Sequence, residues 1–152
     1  MIMDERSEFC DKLSVAAAAG TALVGDVMDL GANVKNIGRG TQLYLVVTVT
    51  TTFTSGGAAT VNIQLCSDST ADLNTSPTVH WETGAVGFAT LTARTVSAHA
   101  KRFIVALPQG LPYERYLGIK VVTAAAITTA GSISAFLTPH PDNWDVYPEG
   151  NN

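Results

Sequence analysis

The chain has 152 residues and a net charge of −4, and only 14% of its residues are charged, against about a quarter in an average soluble protein. This length suits one domain that buries its own core without a metal or a disulfide framework. Because Lys and Arg form no cluster and no apolar run approaches the ~20 residues of a membrane span, the composition argues against a nucleic-acid or membrane partner.

Residues 1–20 are predicted to form an extended N-terminal arm, with room for one short helical turn. The alanines of this segment favour a helix, but Gly20, Thr21 and Gly25 interrupt the pattern and no 3.6-residue stripe of apolar side chains persists. A first strand is expected near Ala22–Leu30. The opening residues also lack the apolar stretch of a secretion signal.

From Gln42 onward the side chains alternate with the period of a β-strand. Two such runs flank the sequence Ser55-Gly56-Gly57, which we expect to turn the chain through the positive φ angles that glycine allows. A phosphate-binding loop would need a lysine and a following helix, and neither is present. The side chains predicted to face the core are Leu43, Leu45, Val47 and Val49 in the first run and Val61, Ile63 and Leu65 in the second.

Three later runs alternate in the same way, and two weaker candidates lie at Thr78–Thr83 and Val86–Leu91. About eight short antiparallel strands separated by turn residues predict an all-β jelly-roll β-sandwich over residues 21–139. Residues 140–152 form a proline-rich tail, interpreted either as a strap that docks Trp144 and Tyr147 on a neighbour or as a frayed end. The inward side chains of the later runs are Phe103, Val105 and Leu107, then Leu117, Ile119 and Val121, then Ile133, Ala135 and Leu137.

No catalytic or metal-binding pattern stands out. The segment Cys66–Ser69 offers a thiol, hydroxyls and a carboxylate, but a nucleophile needs a nearby base, and the spacing gives no reason to bring His80, His99 or His140 there. Ser and Asp after a strand usually bond their own backbone. The histidines and cysteines lack ligand spacing, and the two cysteines, Cys10 among them, are typical of buried thiols in a reduced compartment. We therefore predict neither an enzyme nor a cofactor nor a metal site.

The order of several short motifs resembles the jelly-roll capsid cement (decoration) proteins of tailed bacteriophages. The segments Met28–Gly31, Gly40–Val47, Thr54–Thr60 and Leu65–Asp68 are similar to successive strand and turn signatures of that family. Arg102–Val122 is similar to a short strand ending in Leu-Pro followed by an Arg-Tyr-Leu strand, although Lys120 and Val121 stand where the family often has an aromatic residue. Residues 128–138 resemble the closing strand.

The resemblance implies a non-enzymatic virion protein on the outer capsid surface, assembled in the host cytoplasm, with the major capsid protein and a homodimer or homotrimer as partners. A phage-surface carbohydrate-binding or host-adhesion module is the alternative. Because aromatic residues and Arg are enriched at interface hot spots, we expect the contacts to come from Phe9, Tyr113, Arg115, Tyr116, Trp144 and Tyr147.

Overall fold

The computed structural model describes residues 5–32, 37, 40–93, 95 and 100–141. Two short 3-10 turns, Glu5–Ser7 and Phe88–Thr90, accompany the strands. No helix within these ranges is long and apolar enough to cross a membrane. The strands of this part of the chain are β1 (Glu8–Ser14), β2 (Gly20–Asp29), β3 (Tyr44–Ser55), β4 (Thr60–Asp68), β5 (Thr78–Glu82), β6 (Val86–Gly87), β7 (Arg102–Ala106), β8 (Tyr116–Ala124) and β9 (Thr128–Thr138).

The strands form two antiparallel sheets. One sheet has the order β1-β9-β3-β7, and the other has the order β2-β8-β4-β5 with the two-residue β6 beside β4. With the short β6 left aside, every step along the chain crosses from one sheet to the other, except the step from β4 to β5. Eight strands connected in this way make a jelly roll, so the predicted all-β jelly-roll β-sandwich is confirmed.

The core lies between the two sheets and consists mainly of the side chains that the alternation predicted. The inward residues of β3, β4, β8 and β9 are at most 6% exposed. Leu107 is also buried, whereas Phe103 and Val105 of β7 are half-buried because that strand lies at a sheet edge. The residues of these four strands that were predicted to face the core and are buried are Leu45, Val47, Val49, Val61, Ile63, Leu65, Leu117, Ile119, Val121, Ile133, Ala135 and Leu137.

Within the segment predicted as an N-terminal arm, residues 8–14 form an edge strand of the sandwich. Strand β1 pairs with β9, with Leu13 opposite Ile133, and the Phe9 side chain is 1% exposed in the core. Two register shifts interrupt this pairing, one before and one after Cys10. These irregularities break the two-residue alternation, which is why the sequence pattern did not reveal the strand.

The connection between β3 and β4 turns the chain, as predicted, but not by the expected backbone geometry. Neither Gly56 nor Gly57 is among the glycines with positive φ. The reversal is spread over residues 56–59, and the Ser55 hydroxyl stabilises it by accepting a hydrogen bond from the Gly57 N–H at 3.1 Å. A side chain at Gly57 would come within 3.2 Å of the Ala126 Cβ, so close packing rather than φ favours glycine there.

Candidate functional site

The six residues predicted for interfaces fall in three different environments. Phe9 and Tyr113 are 1% and 5% exposed, so their side chains are core groups and not surface contacts. Arg115 is exposed and Tyr116 is partly exposed. Trp144 and Tyr147 lie outside the described residues. Among the described residues, the predicted interface therefore reduces to Arg115 and Tyr116.

These two residues form a fixed surface cluster with Asp29, called the Arg115 cluster below. Arg115 Nε and Nη2 donate hydrogen bonds to Asp29 Oδ1 and Oδ2 at 3.0 and 2.8 Å, and the Arg115 Cζ lies 4.9 Å from the centre of the Tyr116 ring. The side chains of the ion pair are 45% and 46% exposed. Hydrogen bonding to Arg115 and to the Gly31 N–H lowers the pKa of Asp29 to about 2, so the carboxylate stays charged at neutral pH.

Sheet pairing explains why residues 86 positions apart meet. Asp29 is the last residue of β2, and it lies opposite Tyr116, the first residue of β8. The Leu30 N–H continues the ladder by donating to the Arg115 carbonyl at 2.8 Å. The cluster is therefore held by backbone as well as side-chain bonds, and it presents an arginine and a tyrosine at one end of the sandwich.

The loop that precedes Arg115 is fixed by Tyr113. The Tyr113 hydroxyl donates to the Pro108 carbonyl at 2.6 Å, and burial raises the pKa of this hydroxyl to about 12, so it remains a donor. The same loop exposes Leu111, whose relative exposure is 39%. This end of the sandwich thus combines an apolar side chain with the Arg115 cluster on a constrained loop.

A serine and a histidine meet near the Arg115 cluster, which the sequence spacing did not predict. Ser67 Oγ lies 2.7 Å from His80 Nε2 and accepts a hydrogen bond from the Glu114 N–H at 3.0 Å. The His80 ring packs against Tyr113 with a centroid separation of 4.2 Å. Because Ser67 is fully buried, its hydroxyl is inaccessible to a substrate. These contacts instead hold β4, β5 and the loop before β8 together.

Asp68 organises the connection from β4 to β5. One of its oxygens accepts hydrogen bonds from the Thr75 and Ser76 N–H groups at 2.9 and 3.1 Å, and the other accepts one from the Ser69 N–H. The expectation of bonds to the local backbone at this strand end is confirmed for Asp68, whereas the Ser69 hydroxyl donates to the Asp68 carboxylate and Ser67 bonds distant residues. Lys120, buried at 6% exposure, holds the same connection by donating to the Leu73 carbonyl at 2.6 Å.

Three connections at the opposite end of the sandwich contain no charged residue. They are residues 15–19, 56–59 and 125–127. The Thr128 N–H donates to the Ala17 carbonyl at 2.9 Å, and the Ser55 hydroxyl donates to the Ile127 carbonyl at 2.7 Å. Ile127 is 53% exposed. These three connections therefore differ in chemistry from the Arg115 cluster, because they carry uncharged and mostly small side chains in place of an ion pair and an aromatic ring.

The strand order of the two sheets and the core between them define the class of protein as a jelly-roll β-sandwich. The chain belongs to the Bbp16 family, whose model matches residues 12–137. The match runs from Lys12 in β1 to Leu137 in β9 and so takes in both sheets. No curated protein matches the chain.

Proposed function

We propose that the protein is a capsid cement protein that binds the outside of an icosahedral phage head and stabilises contacts between major capsid protein subunits. The support is the ordered series of motifs that resembles such proteins, on a chain that folds as a jelly roll. The observation that carries the proposal is the Arg115 cluster, an exposed arginine and tyrosine held in one geometry by Asp29 and the sheet.

The chemistry of this cluster suits a contact with a different protein. Arg and Tyr are enriched at interface hot spots, and an exposed charge can be met by an opposite charge on a partner of another sequence. Because the bidentate bonds already hold Arg115, little side-chain entropy is lost on binding. A standard interface of ~1,600 Å² repeated over a shell would add several kcal/mol per copy after the cost of association.

In this proposal the protein acts without catalysis. It is assembled in the host cytoplasm, lies on the outer surface of the virion and associates with itself as a dimer or trimer. Cementing is mechanical, since each bound copy adds interface that must be broken before neighbouring capsid subunits separate. The alternative of a carbohydrate-binding or host-adhesion module would require saturable binding to glycans.

The test compares phage heads that lack the protein with the same heads after the purified protein is added back. We expect the added protein to raise the temperature at which heads release DNA and to increase their survival of osmotic shock. Heads that are equally robust with and without saturating protein would contradict the cementing role. A glycan array probed with the same preparation decides the alternative, which saturable binding would favour.

A further inference from the structure

A histidine holds the loop that leads to Arg115. The His80 ring of β5 packs against the Tyr113 ring at a centroid separation of 4.2 Å, and its Nε2 lies 2.7 Å from Ser67 Oγ in β4. The same Ser67 oxygen accepts a hydrogen bond at 3.0 Å from the N–H of Glu114, the residue before Arg115. The ring, the hydroxyl and the loop backbone thus form one continuous set of contacts that ends beside the Arg115 cluster.

The two ring nitrogens of His80 have unequal surroundings. Nε2 has the Ser67 hydroxyl as a partner, whereas Nδ1 is buried and has no hydrogen-bond partner among the described residues. A neutral imidazole carries one N–H, and it fits this site with the proton on Nε2 and the lone pair on Nδ1. A protonated imidazole carries two N–H groups, so Nδ1 would then need an acceptor that the described part of the chain does not provide. The site therefore favours the neutral ring over the charged one.

The groups that face the ring leave this preference in place. From β4 the ring meets the uncharged Ser67 hydroxyl, and from the loop before β8 it meets Tyr113, whose pKa is raised by burial to about 12. Glu114 of the same loop supplies a negative charge, but burial lowers the pKa of His80 more than this charge raises it. Glu82 of β5 accepts hydrogen bonds from two amide side chains of β4. Charging the ring therefore remains unfavourable while the ring stays where it is.

We propose that His80 positions the Arg115 cluster and that protonation of His80 releases it. A charged ring becomes hydrated only by leaving its place against Tyr113 and Ser67, and the loop then loses the ring on which it packs. The loop of residues 107–114 opens locally, and Arg115 is no longer presented in one geometry. Mild acid thus weakens the contact made through Arg115, a consequence that rests on the proposed function.

Hydrogen exchange of the free protein, followed by NMR at single amides, tests the release without any phage head. In the released state the ring has an ordinary pKa of about 6.5, so the ratio of released to held molecules rises by up to about tenfold between pH 7.5 and pH 5.5. The protection factor of the Glu114 amide, corrected for the intrinsic effect of pH, should fall several-fold within this limit. It should also lie below that of Val121, a core residue of β8, because the opening is local.

Two histidine variants identify the group that titrates. His80→Gln removes the titrating ring, so the protection of the Glu114 amide should not change with pH in this range. His140→Gln is the matched control, since His140 is exposed beyond the end of β9, and it should behave like the wild type. Protection of Glu114 that is independent of pH in the wild type, that falls equally in His80→Gln, or that equals the protection of Val121 would each overturn the inference.

Binding to heads at the same two pH values tests the consequence for the capsid contact. The wild type should bind more weakly at pH 5.5 than at pH 7.5, and His80→Gln should bind alike at both. An unchanged wild-type affinity, or an equal loss in His80→Gln, would overturn regulation by His80. Absence of binding at both pH values would contradict the proposed function instead, and the exchange of the free protein would still decide whether His80 releases the loop.

Discussion

Gly25 of β2 lies directly against the backbone of Phe9 in β1, so β1 and β2 touch at this point without an intervening side chain. A Cβ atom built on Gly25 would overlap the Phe9 carbonyl oxygen and lie 2.7 Å from the Cys10 Cβ. Gly25 has φ +76° and lies where β2 has two more residues than β8 between their paired positions. This bulge brings β1 onto β2 and places Phe9 in the core.

Gly25→Ala is expected to destabilise the fold strongly. The substitution combines a left-handed backbone with overlap against another strand, which together cost about 2–6 kcal/mol of the free energy of unfolding. Urea denaturation followed by circular dichroism measures the loss. Gly31→Ala is the matched control, because Gly31 has φ +86° and open space around it, so that strain alone should cost about 1–2 kcal/mol. Equal losses in the two variants would contradict the close contact.

Asp68→Asn is expected to destabilise the chain and to loosen the connection after β4. Burial of Asp68 raises its pKa, but hydrogen bonds from Ser76, Ser69 and Thr75 outweigh that effect and lower the pKa below 3.8. Stability from this carboxylate is therefore present above the unfolded pKa and is lost as the pH falls through the folded one. Urea midpoints below about pH 4 should drop less steeply in the variant than in the wild type. Asp72→Asn, at an exposed site, is the control and should change little.

His80 predicts a second pH dependence at milder acidity. Burial lowers its pKa below 6.5, and Glu114 only partly opposes this. The unfolded chain then binds a proton at higher pH than the folded chain, so stability falls as the pH drops from about 7.5 to about 5.5. In His80→Gln this fall in urea midpoint should be smaller. A wild type and variant with parallel pH profiles in this range would show that His80 does not titrate as described.

Both cysteines are expected to be unreactive in the folded protein. Burial raises the pKa of Cys10 and of Cys66 to about 11 each, and the Cys10 thiol donates a weak hydrogen bond to the Ile133 carbonyl at 3.6 Å. Because the thiolate is the reactive form, a disulfide reagent at about pH 8 should label neither thiol until the chain unfolds. Rapid stoichiometric labelling of the native protein would contradict this burial.

The sequence could predict the fold because five of its strands, β3, β4, β7, β8 and β9, contain runs of alternating apolar side chains. In β3, β4, β8 and β9 the apolar residues recur at every second position, and burial between two sheets follows from that period. Strand β1 was not predicted as a paired strand, because its bulges break the period around Cys10. The sequence also could not reveal the role of Gly25. That role depends on contact with Phe9, which lies 16 residues earlier in the chain and in the other sheet.

The candidate site was predicted only in part. Enrichment of aromatic residues and Arg at interfaces pointed to Arg115 and Tyr116, but it cannot distinguish a surface tyrosine from one that fills the core, as Tyr113 does. The contacts of Ser67 with His80 and of Arg115 with Asp29 join residues 13 and 86 positions apart. Strand pairing creates both, so no local motif could signal them.

The proposed cementing role is tested most directly by measuring how tightly the protein binds purified heads when Arg115 is changed. Co-sedimentation should show saturable binding of the wild type, and Arg115→Ala should weaken it about thirtyfold, the effect of losing one hot spot. Lys101→Ala is the matched control, since Lys101 is also an exposed cation over an aromatic ring, 5.1 Å from the centre of Phe103. We expect this variant to bind like the wild type. Absence of saturable binding by the wild type, or equal binding by Arg115→Ala, would contradict the proposed cementing role.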